Sequence, residues 1–263
     1  DRGHPSSMTL LSEPVTLWMI AGVYVLAGFI KGIIGIGLPT TALALLTIIV
    51  TPLEAMAINI LPMMITNLYQ FYRADSYRQL LHDYWRFASV MVVFLLIASF
   101  FATGLGNDII RMLIAISVLI FALNNLFGLQ WRLNPQYDSR WQVLMGALSG
   151  ILGGLTSIWG VPMTIYLVMK QLKPKQFVDA TGFLILLGCF PLAAGYLQTG
   201  ILKQEALLPA SAGVAGAFAG FYFGARARHK ISPSLFHKLV LVMFLVMGLK
   251  MGYDTLLAYN LMV

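Results

Sequence analysis

Apolar residues along this chain come in long blocks, separated by short polar gaps. Ten blocks read as helical segments. The first five cover 15–37, 38–50, 53–72, 84–104 and 109–129, and the second five cover 141–155, 157–170, 176–198, 206–226 and 236–258. A helix rises 1.5 Å per residue, so an apolar run of about 18 residues or more spans a hydrocarbon core. Most blocks meet that length. Blocks 38–50, 141–155 and 157–170 do not, because about 13 to 15 residues reach only about 20 Å. These three are expected to be half-helices or arms of a re-entrant hairpin. Broken backbone of that kind survives in a membrane only where protein buries it or where it lines a wet cavity. The pattern therefore predicts an all-α, polytopic membrane protein.

The order of the blocks repeats. Gly28-x3-Gly32-x2-Gly35 returns as Gly146-x3-Gly150-x2-Gly153, and a proline follows each, Pro39 and Pro162. A Pro-led connection comes next, Thr51-Pro52 and Lys173-Pro174, and then a long block interrupted by Pro62 or Pro191. Residues 1–130 and 131–263 are expected to be two repeats, the second with a few extra residues around 155–159. Each holds five segments, an odd number, so the second must be inverted relative to the first. Inverted repeats are a recurrent transporter architecture, with the substrate near the midplane where broken helices meet. Glycine spacing alone carries less weight, since Gly-x3-Gly also serves plain helix packing.

Charge sets orientation and removes several function classes. Of 263 residues, 59% are hydrophobic and 10% charged, against about 25% charged in soluble domains. The net charge of +7 does not point to nucleic acid, because the basic residues sit in gaps and form no continuous face. Counted alternately from an outside N-terminus, eleven Lys and Arg fall in inside gaps and three in outside ones (Arg2, Arg111 and Lys203). The inside set is Arg73, Arg78, Arg132, Arg140, Lys170, Lys173, Lys175, Arg226, Arg228, Lys230 and Lys238. That bias predicts a protein of the inner (plasma) membrane with both termini outside. Residues 1–13 lack the basic start and cleavage site of a signal peptide. Cys189, the single cysteine, precludes an intramolecular disulfide. His4, His82, His229 and His237 make no metal-ligand spacing. No Walker loop, nucleophile elbow or paired-carboxylate motif occurs. No metal or cofactor is expected, and a hydrolase or nucleotide-driven pump is disfavoured.

The stretch Gly28-Phe29-Ile30-Lys31-Gly32-Ile33-Ile34-Gly35-Ile36-Gly37-Leu38-Pro39-Thr40, with its partner Gly146-Ala147-Leu148-Ser149-Gly150-Ile151-Leu152-Gly153-Gly154, resembles the TauE/SafE family of sulfite and sulfonate exporters. The likeness extends to length and block order. It implies outward transport of small sulfur oxyanions or sulfonates by a secondary carrier that uses no nucleotide. Gly37-Leu38-Pro39 stands where many members carry a run of glycines, and Lys31 lies inside the motif; both mark a branch of the family.

Lys31 is the sharpest candidate. It lies sixteen residues into block 15–37, and a cation at depth costs at least about 2.5 kcal/mol. It is a countercharge for a bound anion, a snorkelling side chain, or half of an ion pair. Thr40 and Thr41 follow Pro39; Ser157, Trp159 and Gly160 precede Pro162. Half-helix N-termini at these breaks would present free N–H groups and a positive dipole end to an oxyanion, or the hydroxyls simply cap their helices. Trp159 walls the site or anchors the interface. Asn59 and Thr181, each seven residues after its Pro52 or Pro174, join the candidate site, while Asn67, Asn124 and Asn125 read as interhelical hydrogen-bonding groups. Asp179 is a proton or gating group, or an i,i+4 partner of Lys175; Lys250 and Asp254 have the same spacing. The reading is export of a small anion, sulfite or an organosulfonate, by a protein in contact with lipid and open to homo-oligomerisation. Its rivals are a proton-coupled anion importer, with Asp179 as carrier, and a membrane enzyme or assembly subunit.

Overall fold

The computed structural model describes residues 13–74, 77–127, 132–227 and 233–260. The described residues form ten α-helices: α1 (Pro14–Ile34), α2 (Leu38–Ile49), α3 (Pro52–Tyr72), α4 (Tyr77–Ser99), α5 (Gly106–Phe127), α6 (Asp138–Thr156), α7 (Gly160–Met169), α8 (Pro174–Gln198), α9 (Leu207–Ala227) and α10 (Pro233–Asn260). Six stretches, in α1, α4, α5, α8, α9 and α10, are long and apolar enough to cross a membrane. The expected Arg2, His4, Arg228, His229 and Lys230 lie outside the described residues, as do the side chains of Asn125, His237 and Asp254, and with the last the Lys250–Asp254 pair.

Local chemistry sets the helix ends. Proline stands in the first turn of α1, α2, α3 and α8, where its missing N–H costs nothing. Thr51 caps α3 through a reciprocal capping box with Glu54. Gly35 stops α1 in the left-handed conformation, φ 95°, and returns its N–H to the Lys31 carbonyl. Ser157 stops α6 in the same way, φ 63°, with its N–H on the Gly153 carbonyl at 2.7 Å. A serine pays strain there that a glycine does not.

Two expectations need correction. Block 141–155 is not a half-helix: α6 has 19 residues. Its first turn, Asp138-Ser139-Arg140, is polar and falls outside any apolar block, yet an acidic residue suits a helix N-terminus. Only α2 (12 residues) and α7 (10 residues) are short. Lys31 is not in mid-helix either. The left-handed cap at Gly35 ends α1 early, so Lys31 stands in its last turn, the end where the dipole favours a cation.

Glycines decide the packing. A Cβ on Gly28 would lie 2.2 Å from the Ala217 carbonyl oxygen, and one on Gly32 2.7 Å from that of Phe221. From the other side, Gly216, Gly220 and Gly224 of α9 meet Ala21, Val25 and Phe29. The contacts rise together along both helices, so α1 and α9 run parallel. Gly146, Gly150 and Gly154 of α6 meet Phe87, Met91 and Leu95 of α4 in the same ascending order. That pair is parallel too. The long helices α3 and α8 touch each other; α3 also packs on α9 and α8 on α4, while α5 pairs with α10. The short helices fit between neighbours in sequence, α2 against α1 and α3, α7 against α6 and α8. Large apolar side chains such as Val93, Ile116, Phe223 and Leu249 remain exposed on the outer helices, as a lipid solvent permits.

Candidate functional site

The two breaks, 35–37 and 157–159, line one small cavity. Gly37, Pro39 and Thr40 come from the first, Ser157, Trp159 and Gly160 from the second, with Thr164, Thr181 and Phe121 around them. Its open volume is about 30 Å³, on the scale of one or two waters or the centre of a small oxyanion. Both short helices begin here without a side-chain cap, α2 at Gly37 and α7 at Trp159. Their first-turn N–H groups have no partner within the helix, and the dipole's positive end lies with them. No carboxylate, side-chain amide or cation lines this cavity among the described residues.

Two side-chain donors at this cavity are buried and unpaired. The Ser157 hydroxyl and the Trp159 indole Nε1 have no hydrogen-bond partner, and each residue is 1% exposed. An orphaned buried donor costs about 1–3 kcal/mol, so its presence in a close-packed interior calls for a reason. The indole has no freedom to turn away. Gly153 and Gly188 hold it as a slab; a Cβ on either would come within 2.8 or 2.9 Å of the tryptophan side chain.

Other candidates fall elsewhere. The Thr41 hydroxyl donates to the Gly37 carbonyl at 2.7 Å, which steadies the α2 break from behind. Asn59 is fully buried; it accepts from Tyr24 Oη at 3.1 Å, and its Nδ2 donates to the Pro39 carbonyl at 3.3 Å. Thr41 and Asn59 hold the break and do not line the cavity. Thr181 lines it, with its own proton given to the Phe177 carbonyl at 2.7 Å.

Lys31 lines a second, larger cavity of about 680 Å³, together with Gln70, Arg73, Lys175 and Asp179. It is 3% exposed, and Nζ donates to Asn67 Oδ1 at 3.0 Å and Thr66 Oγ1 at 3.4 Å. Asn67 is itself fixed by its Nδ2 on the Met63 carbonyl at 2.7 Å. Both partners of Lys31 are neutral, so they orient the ammonium without cancelling its charge. Asp179 Oδ2 lies 3.9 Å from Lys175 Nζ, the i,i+4 arrangement expected of an ordinary pair. Leu38 lies on the wall of this cavity, at the start of the helix whose Gly37 and Thr40 line the central one.

Sequence reasoning missed Thr164 and Phe121 of the central cavity, and Arg73 and Gln70 of the larger one. Arg73 was legible only as an inside charge. Gln70 sits among apolar neighbours in α3 and donates to the Val178 carbonyl of α8, a long-range contact without a sequence signal. Among the described residues no group of three or more His, Cys, Asp or Glu is placed to hold a metal.

No curated protein and no solved structure matches the chain. A family model does. The model described as sulfite exporter TauE/SafE matches residues 20–251, a range holding both breaks, both cavities and all the packing glycines. The chain is a multi-pass membrane protein belonging to the TauE/SafE sulfite exporter family.

Proposed function

We propose that this chain exports a small, fully deprotonated oxyanion, sulfite or an organosulfonate, through a central site shared by two inverted repeats, 1–130 and 131–263. One observation carries the reading: two uncapped helix starts and two residues with orphaned donors line one cavity that no described acid lines. Such a cage favours an ion that only accepts hydrogen bonds. A sulfonate fits. Phosphate carries a hydroxyl at neutral pH and would leave that proton without a strong acceptor, which costs discrimination energy in a buried site. Thr40, Ser157, Trp159, Gly160 and Thr181 touch the ion. Lys31, which has only neutral partners, draws it into the larger cavity, which is the inward-facing approach.

The repeat has support in the packing. Exchanging each helix with the one five places later turns α1·α9 into α6·α4, α3·α9 into α8·α4, α1·α2 into α6·α7, and returns α3·α8 and α5·α10 to themselves. The left-handed caps correspond as Gly35 and Ser157, the Pro-led starts as Pro52 and Pro174. That register pairs Gly28 and Gly32 with Gly150 and Gly154, one helical turn from the pairing the glycine motif suggests, and it needs no insertion before α7.

Direction follows from charge. With the interior negative, each negative charge leaving gains about 2.3 kcal/mol per 100 mV, so export needs no coupled cation. The importer reading needs a proton carrier in the central cavity, and Asp179 lines the other one. Liposomes with an imposed potential test this. Flux of sulfite or a short alkanesulfonate should follow the potential without a pH gradient, and phosphate should not move. Flux that appears only with a proton gradient would replace export with coupled uptake. No flux of any anion would return the enzyme or assembly reading.

A further inference from the structure

A groove of about 590 Å³ opens beside the large cavity, between α3 and α9. The two share Tyr69, Arg73, Phe218 and Phe221 as a common wall. Tyr222, Ala225 and Arg226 complete the groove. Its floor is aromatic: Tyr69 meets Phe218 and Phe221 edge-on at centroid distances of 5.9 and 6.2 Å. Its rim is cationic. The Arg73 guanidinium lies 5.2 Å from the Tyr69 ring centre, and that of Arg226 lies 3.8 Å from the Tyr222 ring centre. Arg73 caps the C-terminus of α3 and Arg226 stands in the last turn of α9. Both helices therefore end at this rim, and both dipoles hold the cations there. No acidic residue lines the groove among the described residues.

From this geometry we infer that the groove binds one anionic phospholipid, its phosphate between Arg73 and Arg226 and an acyl chain along Phe218 and Phe221. Charge and shape select this occupant together. Guanidiniums in a fork recognise phosphate oxygens. Stacking on tyrosine pre-orders each one, so less freedom is lost on binding. The aromatic trough accepts a chain and gives a free ion nothing. A zwitterionic lipid brings its own cation to the same rim and gains less. The inference needs only that the chain crosses a membrane; it does not rest on what is transported. Its consequence is that the wall between lipid and the large cavity is completed by a bound lipid as well as by side chains.

Native mass spectrometry of the full chain in detergent tests it, with phosphatidylglycerol or phosphatidylcholine titrated in. Phosphatidylglycerol should be retained at one per chain and phosphatidylcholine should not. Arg73→Gln/Arg226→Gln should weaken retention about thirty-fold, the product of two arginine–phosphate attractions at a membrane surface. Arg73→Lys/Arg226→Lys keeps both charges and should retain part of it, and melting of each variant separates lost binding from lost fold. Arg140 also lies over a tyrosine, 5.7 Å from the Tyr137 ring centre, but outside the groove; Arg140→Gln should leave retention unchanged. Equal retention of both lipids overturns the inference, and so does an equal loss in Arg140→Gln, which would mean bulk surface charge. Displacement by inorganic phosphate would make this a free-anion site. Displacement by a long-chain alkanesulfonate that liposomes then transport would make it a substrate entrance; either result removes the lipid.

Discussion

At the scale of the residue, two side chains of the proposed pathway are incompletely matched. Lys31 is buried against two neutral oxygens, with no described carboxylate in ion-pair range. Removing its charge removes a desolvation cost and leaves no opposite charge stranded; the buried Asn67 Oδ1 loses a donor, a smaller cost than that of a buried uncompensated charge. Lys31→Met is therefore expected to abolish anion flux while the melting temperature holds or rises. Flux and melting measured on one preparation decide this; normal flux takes Lys31 out of the pathway. Trp159 has the complementary defect, an indole N–H without an acceptor. Trp159→Phe keeps a ring between Gly153 and Gly188 and deletes the orphaned donor. The expected result is stability unchanged or higher by about 1 kcal/mol, with sulfite flux reduced several-fold. An unaltered flux would mean that the indole N–H serves no substrate.

At the scale of the element, backbone approach sets the requirements. Gly28 and Gly22 lie on the same helix. A Cβ on Gly28 would sit 2.2 Å from a backbone oxygen of α9, whereas one on Gly22 meets nothing within 4 Å. Gly28→Ala is expected to cost about 1–3 kcal/mol, the usual range for overpacking, and Gly22→Ala to be neutral or mildly stabilising. In the second half Gly154→Ala should behave like Gly28→Ala, since its Cβ would reach 2.6 Å from the Leu95 carbonyl oxygen. Thermal melts in one detergent compare the three. A Gly28→Ala protein as stable as Gly22→Ala would mean that α1 and α9 are not held by close backbone contact. The helices themselves were legible wherever apolar length or a Pro-led start marked them. The start of α6 was not, because its first turn is polar and its Asp138 makes tertiary bonds, accepting from Tyr166 and Lys170 at 2.8 and 3.3 Å beside a bond from Gln142 of its own helix at 2.9 Å.

At the scale of the whole molecule, parallel pairing of α1 with α9 and of α4 with α6 constrains topology. Parallel neighbours must cross in the same direction. The alternation of inside and outside gaps meets this condition for α4 and α6 directly, and for α1 and α9 when α2 and α7 behave alike, both crossing or both re-entering. With Cys189 replaced, single cysteines near Lys173 and Lys238 are expected to label from the cytoplasmic side, and cysteines near Arg111 and Lys203 from the other. Labelling of the Lys173 and Lys203 sites from the same side would break the alternation and the inverted repeat with it.

The sequence alone determined that the chain is helical and membrane-spanning, because these properties follow from apolar length and low charge; the order of glycines and prolines is what proposes two repeats. It also put forward Thr40, Ser157, Trp159 and Gly160 as candidates, because prolines and small polar residues in an apolar block mark a break, and Thr181 by its spacing after Pro174. Only tertiary structure decided that the two breaks face one cavity, since no local pattern records which helix another touches. It moved Lys31 from mid-helix to a last turn, where a left-handed glycine ends α1, and supplied Asn67 and Thr66 as its partners. It separated Lys31 and Asp179 from the central cavity and brought Arg73 into line with Arg226 along one groove. Apolar patterning specifies which face of a helix is buried; close glycine contacts, set between helices far apart in the chain, specify against what.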